Sequence, residues 1–165
     1  RAAALGVLDM ADNEFVAVIN DTAPENNGRS YSLNISGSNY NQFLGKKIGD
    51  VVDGIFVGEG ENTLAGYKLS ISGGSDKTGT PMRSDLEGGT KKSILITAGT
   101  GFKGHKIVNK KGNRYRYKED GMRMRRNFRG NVITTDTRQL NLKVVESGNK
   151  ALADIFGGSD ESAED

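Results

Sequence analysis

A mainly β fold is predicted: a small β-barrel of short antiparallel strands, with one or two short helices and disordered termini. Three observations carry this. Short apolar or alternating runs recur at turn-spaced intervals along the chain. Several alternate at period two, the signature of a strand buried on one face. The 165 residues include 23 Gly and only 2 Pro, and Gly supplies the positive φ that tight reversals need. One domain over 14–147 is expected, between a mobile N-terminal arm over 1–13 and an acidic tail over 148–165.

Taken in order, residues 1–9 (RAAALGVLD) read as an appendage, with Met10 a natural start. Phe15 to Ile19 (FVAVI) is a buried-type strand, and Asn20 to Arg29 is a turn marked by Asn27-Gly28. Tyr31 to Ile35 alternates and pairs with the first strand. Ser38 caps a short helix over Asn39 to Leu44, which Gly45 ends. Lys46 to Val57 is interrupted by Gly49 and Gly54 and reads as two short strands or one bulged strand. Tyr67 to Ile71 alternates again and runs into a Gly-rich loop, Ser72 to Met82. Ser93 to Thr97, Asn131 to Thr134 and Leu140 to Val145 complete the strand set. Ala151 to Phe156 is long enough for one or two helical turns, and Gly157 to Asp165 has the composition of a disordered solubilising tail.

Charge is distributed unevenly. Phe102 to Arg129 carries eleven basic side chains: Lys103, Lys106, Lys110, Lys111, Arg114, Arg116, Lys118, Arg123, Arg125, Arg126 and Arg129. Glu119 and Asp120 alone oppose them, so the segment carries +9 while the whole chain carries +2, leaving −7 for everything else. Such a segment calls for a polyanion, and nucleic acid is the commonest. Within it, Tyr115, Tyr117, Met122 and Met124 alternate with Arg114, Arg116, Arg123 and Arg125. Glu119-Asp120-Gly121 divides the two arms, which predicts a basic-faced hairpin between them. The expected fate of Tyr115, Tyr117 and Phe128 is the core; the alternative is stacking on unpaired bases.

Several function classes drop out. With no Cys there are no disulfides, thiolate zinc sites or cysteine nucleophiles, and the single His105 has no acid–nucleophile pair beside it. No run approaches the ~20 apolar residues of a membrane span, and no secretory signal is visible, so a soluble, intracellular protein is expected. Gly99 to Gly104 matches GxGxxG but lacks the following helix that a dinucleotide site needs. Asp76 to Thr80 spells DKTGT, the phosphorylated-aspartate motif of cation-pumping ATPases, without the membrane domain or the alternating β/α pattern of those enzymes.

The loop and the basic block together carry a resemblance. Tyr67 to Met82 (YKLSISGGSDKTGTPM) closely resembles the signature of the eukaryotic and archaeal small-subunit ribosomal protein family S-six-e. Gly121 to Gly130 (GMRMRRNFRG) resembles that family's later basic block, Leu140 to Val145 its closing strand, and Phe43 to Asp50 its archaeal members, in order over about residues 14–147. The resemblance implies a ribosomal protein with a β-barrel body, not an enzyme, with no cofactor, no small-molecule substrate and no membrane. Its implied place is the cytoplasm, in the small ribosomal subunit, with small-subunit rRNA and neighbouring ribosomal proteins as partners. Carried over by position, Ser72, Gly73, Gly74, Asp76, Lys77, Met82, Arg123, Arg125, Arg126 and Arg129 are expected near rRNA or shaping the surface that faces it. Eukaryotic members continue into a basic helical tail with regulated serines; here Val145 is followed by an acidic segment, so tail phosphorylation is not carried over. The competing functions are a basic-faced module docking an acidic protein, such as a folding chaperone, and, remotely, phosphotransfer at Asp76.

Overall fold

Phe15, Ala17 and Ile19 turn inward from β1 (Phe15–Asn20) while the residues between them face outward, so the first strand already defines a core side. The computed structural model describes residues 14–23, 28–58, 60 and 63–156. The predicted N-terminal arm, Asn27 of the predicted turn and the end of the acidic tail from residue 157 lie outside the described residues.

β2 (Ser30–Ile35) pairs antiparallel with β1, Phe15 opposite Ile35, as the alternation predicts. Helix α1 (Gly37–Phe43) follows, with Ser36 rather than Ser38 at its N-cap; Leu44 is its C-cap and Gly45 (φ +82) turns the chain away. Tyr40 and Phe43, three residues apart on one helical face, pack on Phe15, with ring centroids at 4.2 and 6.3 Å. Lys46 to Val57 yields one short strand, β3 (Val51–Asp53), and a turn of 3-10 helix at Gly54–Phe56. Gly54 is needed there because a Cβ would lie 2.2 Å from the Leu64 carbonyl oxygen.

β4 (Lys68–Asp76) runs well past the predicted strand end at Ile71. Ser72, Gly73 and Gly74 are therefore strand residues, and only Lys77 to Thr80 forms the tight loop. β5 (Lys91–Ile96), β6 (His105–Lys110), β7 (Asn113–Lys118), β8 (Met124–Arg129) and β9 (Thr137–Glu146) complete the strands. Asn131 to Thr134 is not a strand; it contributes one bridge, Val132 to Lys47. Helix α2 (Leu152–Phe156) packs back on the core beyond residue 147: Leu152 is buried and Phe156 stacks on Tyr31, centroids 4.9 Å apart.

The architecture is mainly β, but no closed barrel forms. The main sheet has the order β2-β1-β9-β4-β3, with β2 and β3 as open edges; β5–β8 and β6–β7 are separate two-stranded ladders. The strands are also not all antiparallel, since β1 and β9 run parallel, Ala17 beside Leu140. The first and last strands thus meet mid-sheet, and the intervening chain supplies both edges instead of bridging them. The large core lies against this sheet; a smaller one of Ile96, Phe102 and Phe128 lies under β5–β8.

The predicted basic hairpin is replaced by another. β8 pairs with β5, Arg129 opposite Lys91, and not with β7. β7 instead pairs with β6, joined by Lys111 (φ +49) and Gly112 (φ +79). Two consecutive positive φ values match the strand twist of a two-residue hairpin, so Lys-Gly, and not Glu-Asp-Gly, makes the reversal.

Candidate nucleic-acid interface

The segment Pro81–Arg83 stitches the two ladders carrying the candidate residues. It bridges to Ser75 of β4 on one side and to Arg129 of β8 on the other, where the Arg129 amide donates to the Pro81 carbonyl. This junction places the DKTGT loop beside β8. A cleft of about 330 Å³ is lined by Thr78, Gly79, Thr80, Arg125 and Arg126. A second, of about 270 Å³, brings Lys103, Arg116 and Arg126 together with His105 and Ile107, so the β6–β7 hairpin and β8 share one basic surface. A wider groove, about 830 Å³, lies between β4 and the end of β5, lined among others by Ser72, Gly73, Gly74, Arg83 and Thr97.

Ten of the eleven basic side chains of the segment are exposed: Lys103, Lys106, Lys110, Lys111, Arg114, Arg116, Lys118, Arg123, Arg125 and Arg126. Among the described residues none of these ten takes part in an ion pair. Lys77 is likewise exposed on the loop. The ten cations are crowded, solvated and uncompensated, the electrostatic footprint of a polyanion site.

The eleventh, Arg129, is different. Its side chain is 17% exposed, and its guanidinium donates Nε to Asp76 Oδ2 (3.1 Å), one terminal nitrogen to the Gly89 carbonyl (2.9 Å) and the other to Asp136 (2.8 Å). Asp76 is 4% exposed. Its Oδ1 accepts from the amides of Thr78 and Thr80 and from the Thr78 hydroxyl, while Lys91 Nζ lies 3.5 Å from Oδ2. Burial pushes this carboxyl up, but the bonds from Thr78, Thr80 and Arg129 outweigh it and hold the group well below the usual carboxylate range. An aspartate with both oxygens engaged in this way is a turn-former and not a phosphate acceptor, which removes phosphotransfer at Asp76. Met82 is buried as well, in the large core. Asp76, Met82 and Arg129 therefore lie beneath the surface, and the exposed Lys91 pairs with Asp76 from above, a residue outside the basic segment that the sequence gives no reason to single out.

Ser72, Gly73 and Gly74 split by direction. A Cβ on Gly74 would lie 2.4 Å from the Gln139 carbonyl oxygen, so that glycine serves the close β4–β9 approach. A Cβ on Gly73 would meet nothing within 4 Å, so this backbone faces the open groove. Ser72 is exposed, its hydroxyl donating to the Asn141 carbonyl at 2.9 Å. Tyr115 and Tyr117 are 43% and 41% exposed, so the expectation that they join the core is corrected; Phe128 alone is buried. Both tyrosines stand on a two-stranded ladder that pairs with no further strand among the described residues. The GxGxxG run Gly99–Gly104 is closed by mutual amide–carbonyl bonds of Gly99 and Phe102 and leads into strand β6, not a helix.

Comparison of the sequence with known proteins points to a family. The family model described as ribosomal protein S6e matches residues 18–157. The chain is 38% identical to the small ribosomal subunit protein eS6 of Haloarcula marismortui, covering 90% of this chain and 98% of that one. It is 39% identical to the protein of that name from Methanoculleus marisnigri, over 94% and 100% of the two chains, and 38% identical to that of Archaeoglobus fulgidus, over 90% and 99%. With the Gly-rich strand, the Asp76 turn and the basic ladders all falling inside the matched span, the chain belongs to the ribosomal protein S6e family.

Proposed function

We infer that this protein is a structural, non-catalytic constituent of the small ribosomal subunit, held there by rRNA. The reading rests on family membership together with one observation: ten exposed cations, free of internal ion pairs among the described residues, spread over the β6–β7 hairpin, its approach and β8. Lys103, Lys106, Lys110, Lys111, Arg114, Arg116, Lys118, Arg123, Arg125 and Arg126 neutralise phosphates, the guanidinium groups forking to pairs of oxygens. Lys77 lies on the loop beside this surface, Ser72 and Gly73 open a separate groove with Arg83 that admits an RNA backbone closely, and Asp76, Met82 and Arg129 hold the shape beneath. Phosphate contacts of this kind position a protein on folded RNA and read little base identity. Neighbouring ribosomal proteins meet the acidic remainder, which rRNA repels, and the working site is the cytoplasmic ribosome.

The test is a salt series of binding to small-subunit rRNA and to a composition-matched control RNA, using wild type and Arg123→Ala/Arg125→Ala/Arg126→Ala. If ~6–8 phosphates are neutralised, affinity falls steeply with salt, and the triple variant flattens the slope by about 2–3 in log–log terms. Unchanged affinity and slope in that variant would remove β8 from the interface.

A further inference from the structure

We propose that the outer face of the β6–β7 hairpin is a stacking platform for consecutive unpaired nucleotides, with Tyr115 and Tyr117 as its rings; this rests on the rRNA-binding reading above and specifies what the RNA presents there. Directly opposed residues of an antiparallel pair share a face. The register places Lys106 with Tyr117, Val108 with Tyr115 and Lys110 with Asn113 on one face. His105 with Lys118, Ile107 with Arg116 and Asn109 with Arg114 occupy the other. On the second face, His105, Ile107 and Arg116 line an open cleft with Phe102 and Arg126, and Ile107 stays 47% exposed. The tyrosines stand on the opposite face.

On that face the two rings lie side by side, centroids 6.4 Å apart and planes 31° apart, close enough for neighbouring nucleotides of one strand to reach both. Both are more than two-fifths exposed, on a ladder that pairs with no third strand among the described residues. Two adjacent exposed aromatics on a marginal two-stranded ladder are a solubility burden unless a planar partner covers them. The charge around them selects that partner: His105 to Lys118 contains six Lys or Arg and no Asp or Glu. Lys106 and Lys110 share the tyrosine face and can hold the phosphates of the bases stacked on the rings. Duplex RNA stacks its base faces away and offers phosphates, 2′-hydroxyls and base edges, which the arginine-rich β8 suits and the rings do not.

The full chain is titrated with single-stranded oligo(U) and with a fully paired RNA stem-loop of equal nucleotide count. Tyr115→Val/Tyr117→Val keeps strand propensity and removes both π-faces. Its affinity for oligo(U) is expected to drop roughly tenfold per ring, with the salt slope and the affinity for the paired RNA unchanged. Tyr115→Phe/Tyr117→Phe keeps the rings and is expected to bind like wild type. Wild-type affinity of the valine variant for oligo(U), or an equal loss on both RNAs, overturns the platform. Wild-type protein that binds the paired RNA but not oligo(U) also overturns it while leaving the rRNA reading standing. Wild-type protein that binds neither of these nor small-subunit rRNA overturns both.

Discussion

Asp76 and Arg129 lie fifty-three residues apart in sequence and meet at 3.1 Å, Nε on Oδ2, where β4 of the main sheet comes alongside the end of β8. Asp76 forms the Thr78–Thr80 turn with one oxygen and anchors the basic ladder with the other. The loop and β8 are therefore positioned by one ion-paired knot, completed by Lys91 and Asp136.

Breaking that knot from either side is expected to be costly. Asp76→Asn places an amide NH₂ or a neutral oxygen against Arg129 and Lys91, leaving cations without their buried counter-charge, at about 3 kcal/mol or more. Arg129→Met leaves Asp76 Oδ2 with only Lys91, at 3.5 Å, and should cost a similar amount. The double variant should lose less than the two single losses combined, because each single change already removes the bond between them. Urea unfolding midpoints of the four proteins check this; strict additivity would mean the two residues act independently.

The same carboxyl sets an acid sensitivity. Its folded-state pKa is depressed relative to the ~3.9 of an unfolded aspartate. Its contribution is therefore fully present above the unfolded value and is lost as pH falls through that value toward the folded one. Wild type should lose stability progressively below about pH 5, and Asp76→Asn should show a flatter acid limb. Thermal unfolding across that range distinguishes the two. Asp85, bonded to Arg83, is shifted the same way but is exposed, so its part in the acid limb is small.

Gly73 separates stability from binding. A Cβ added there would meet nothing within 4 Å, and the residue has no positive φ, so Gly73→Ala should leave stability within about 0.5 kcal/mol of wild type. The added methyl projects into the groove, so rRNA affinity should fall several-fold. Gly74→Ala is the internal control: its Cβ would meet the Gln139 carbonyl at 2.4 Å and should destabilise the protein directly by about 1–3 kcal/mol. Gly73→Ala binding rRNA like wild type would take this backbone out of the contact surface.

The hairpin should open separately from the body. Among the described residues β6 and β7 pair only with each other, and isolated two-stranded hairpins are marginal. Gly112→Val forces a β-branched residue to φ +79 and should unfasten the turn. Amide exchange of residues 105–118 should then accelerate strongly while the global melting temperature moves little; a large global shift would show the hairpin to be part of the cooperative core.

Local pattern was sufficient wherever neighbours in sequence are neighbours in space. The alternation of Tyr31 to Ile35, the short helix ended by Gly45, the closing strand around Leu140 to Val145 and the cationic segment all follow from residue spacing and side-chain chemistry, and all are present. The candidate surface was legible for a related reason: exposed like charges need no tertiary contact to announce themselves.

Pairing across distance was settled by packing. Whether β8 joins β7 or β5 depends on which partner buries Phe128, and β5 does so over Ile96 and Phe102. The parallel meeting of β1 with β9, which leaves the sheet open instead of closed, is a contact over more than a hundred residues that no local period encodes. The same holds for Arg129 and Asp76, which look like a surface cation and a loop acid until folding removes both from water and gives them each other. Tyr115 and Tyr117 reverse the case: their spacing predicted a buried face, and they stay exposed on a ladder that no third strand joins among the described residues. Spacing specifies which side chains share a face, and only the assembled core determines whether that face is covered.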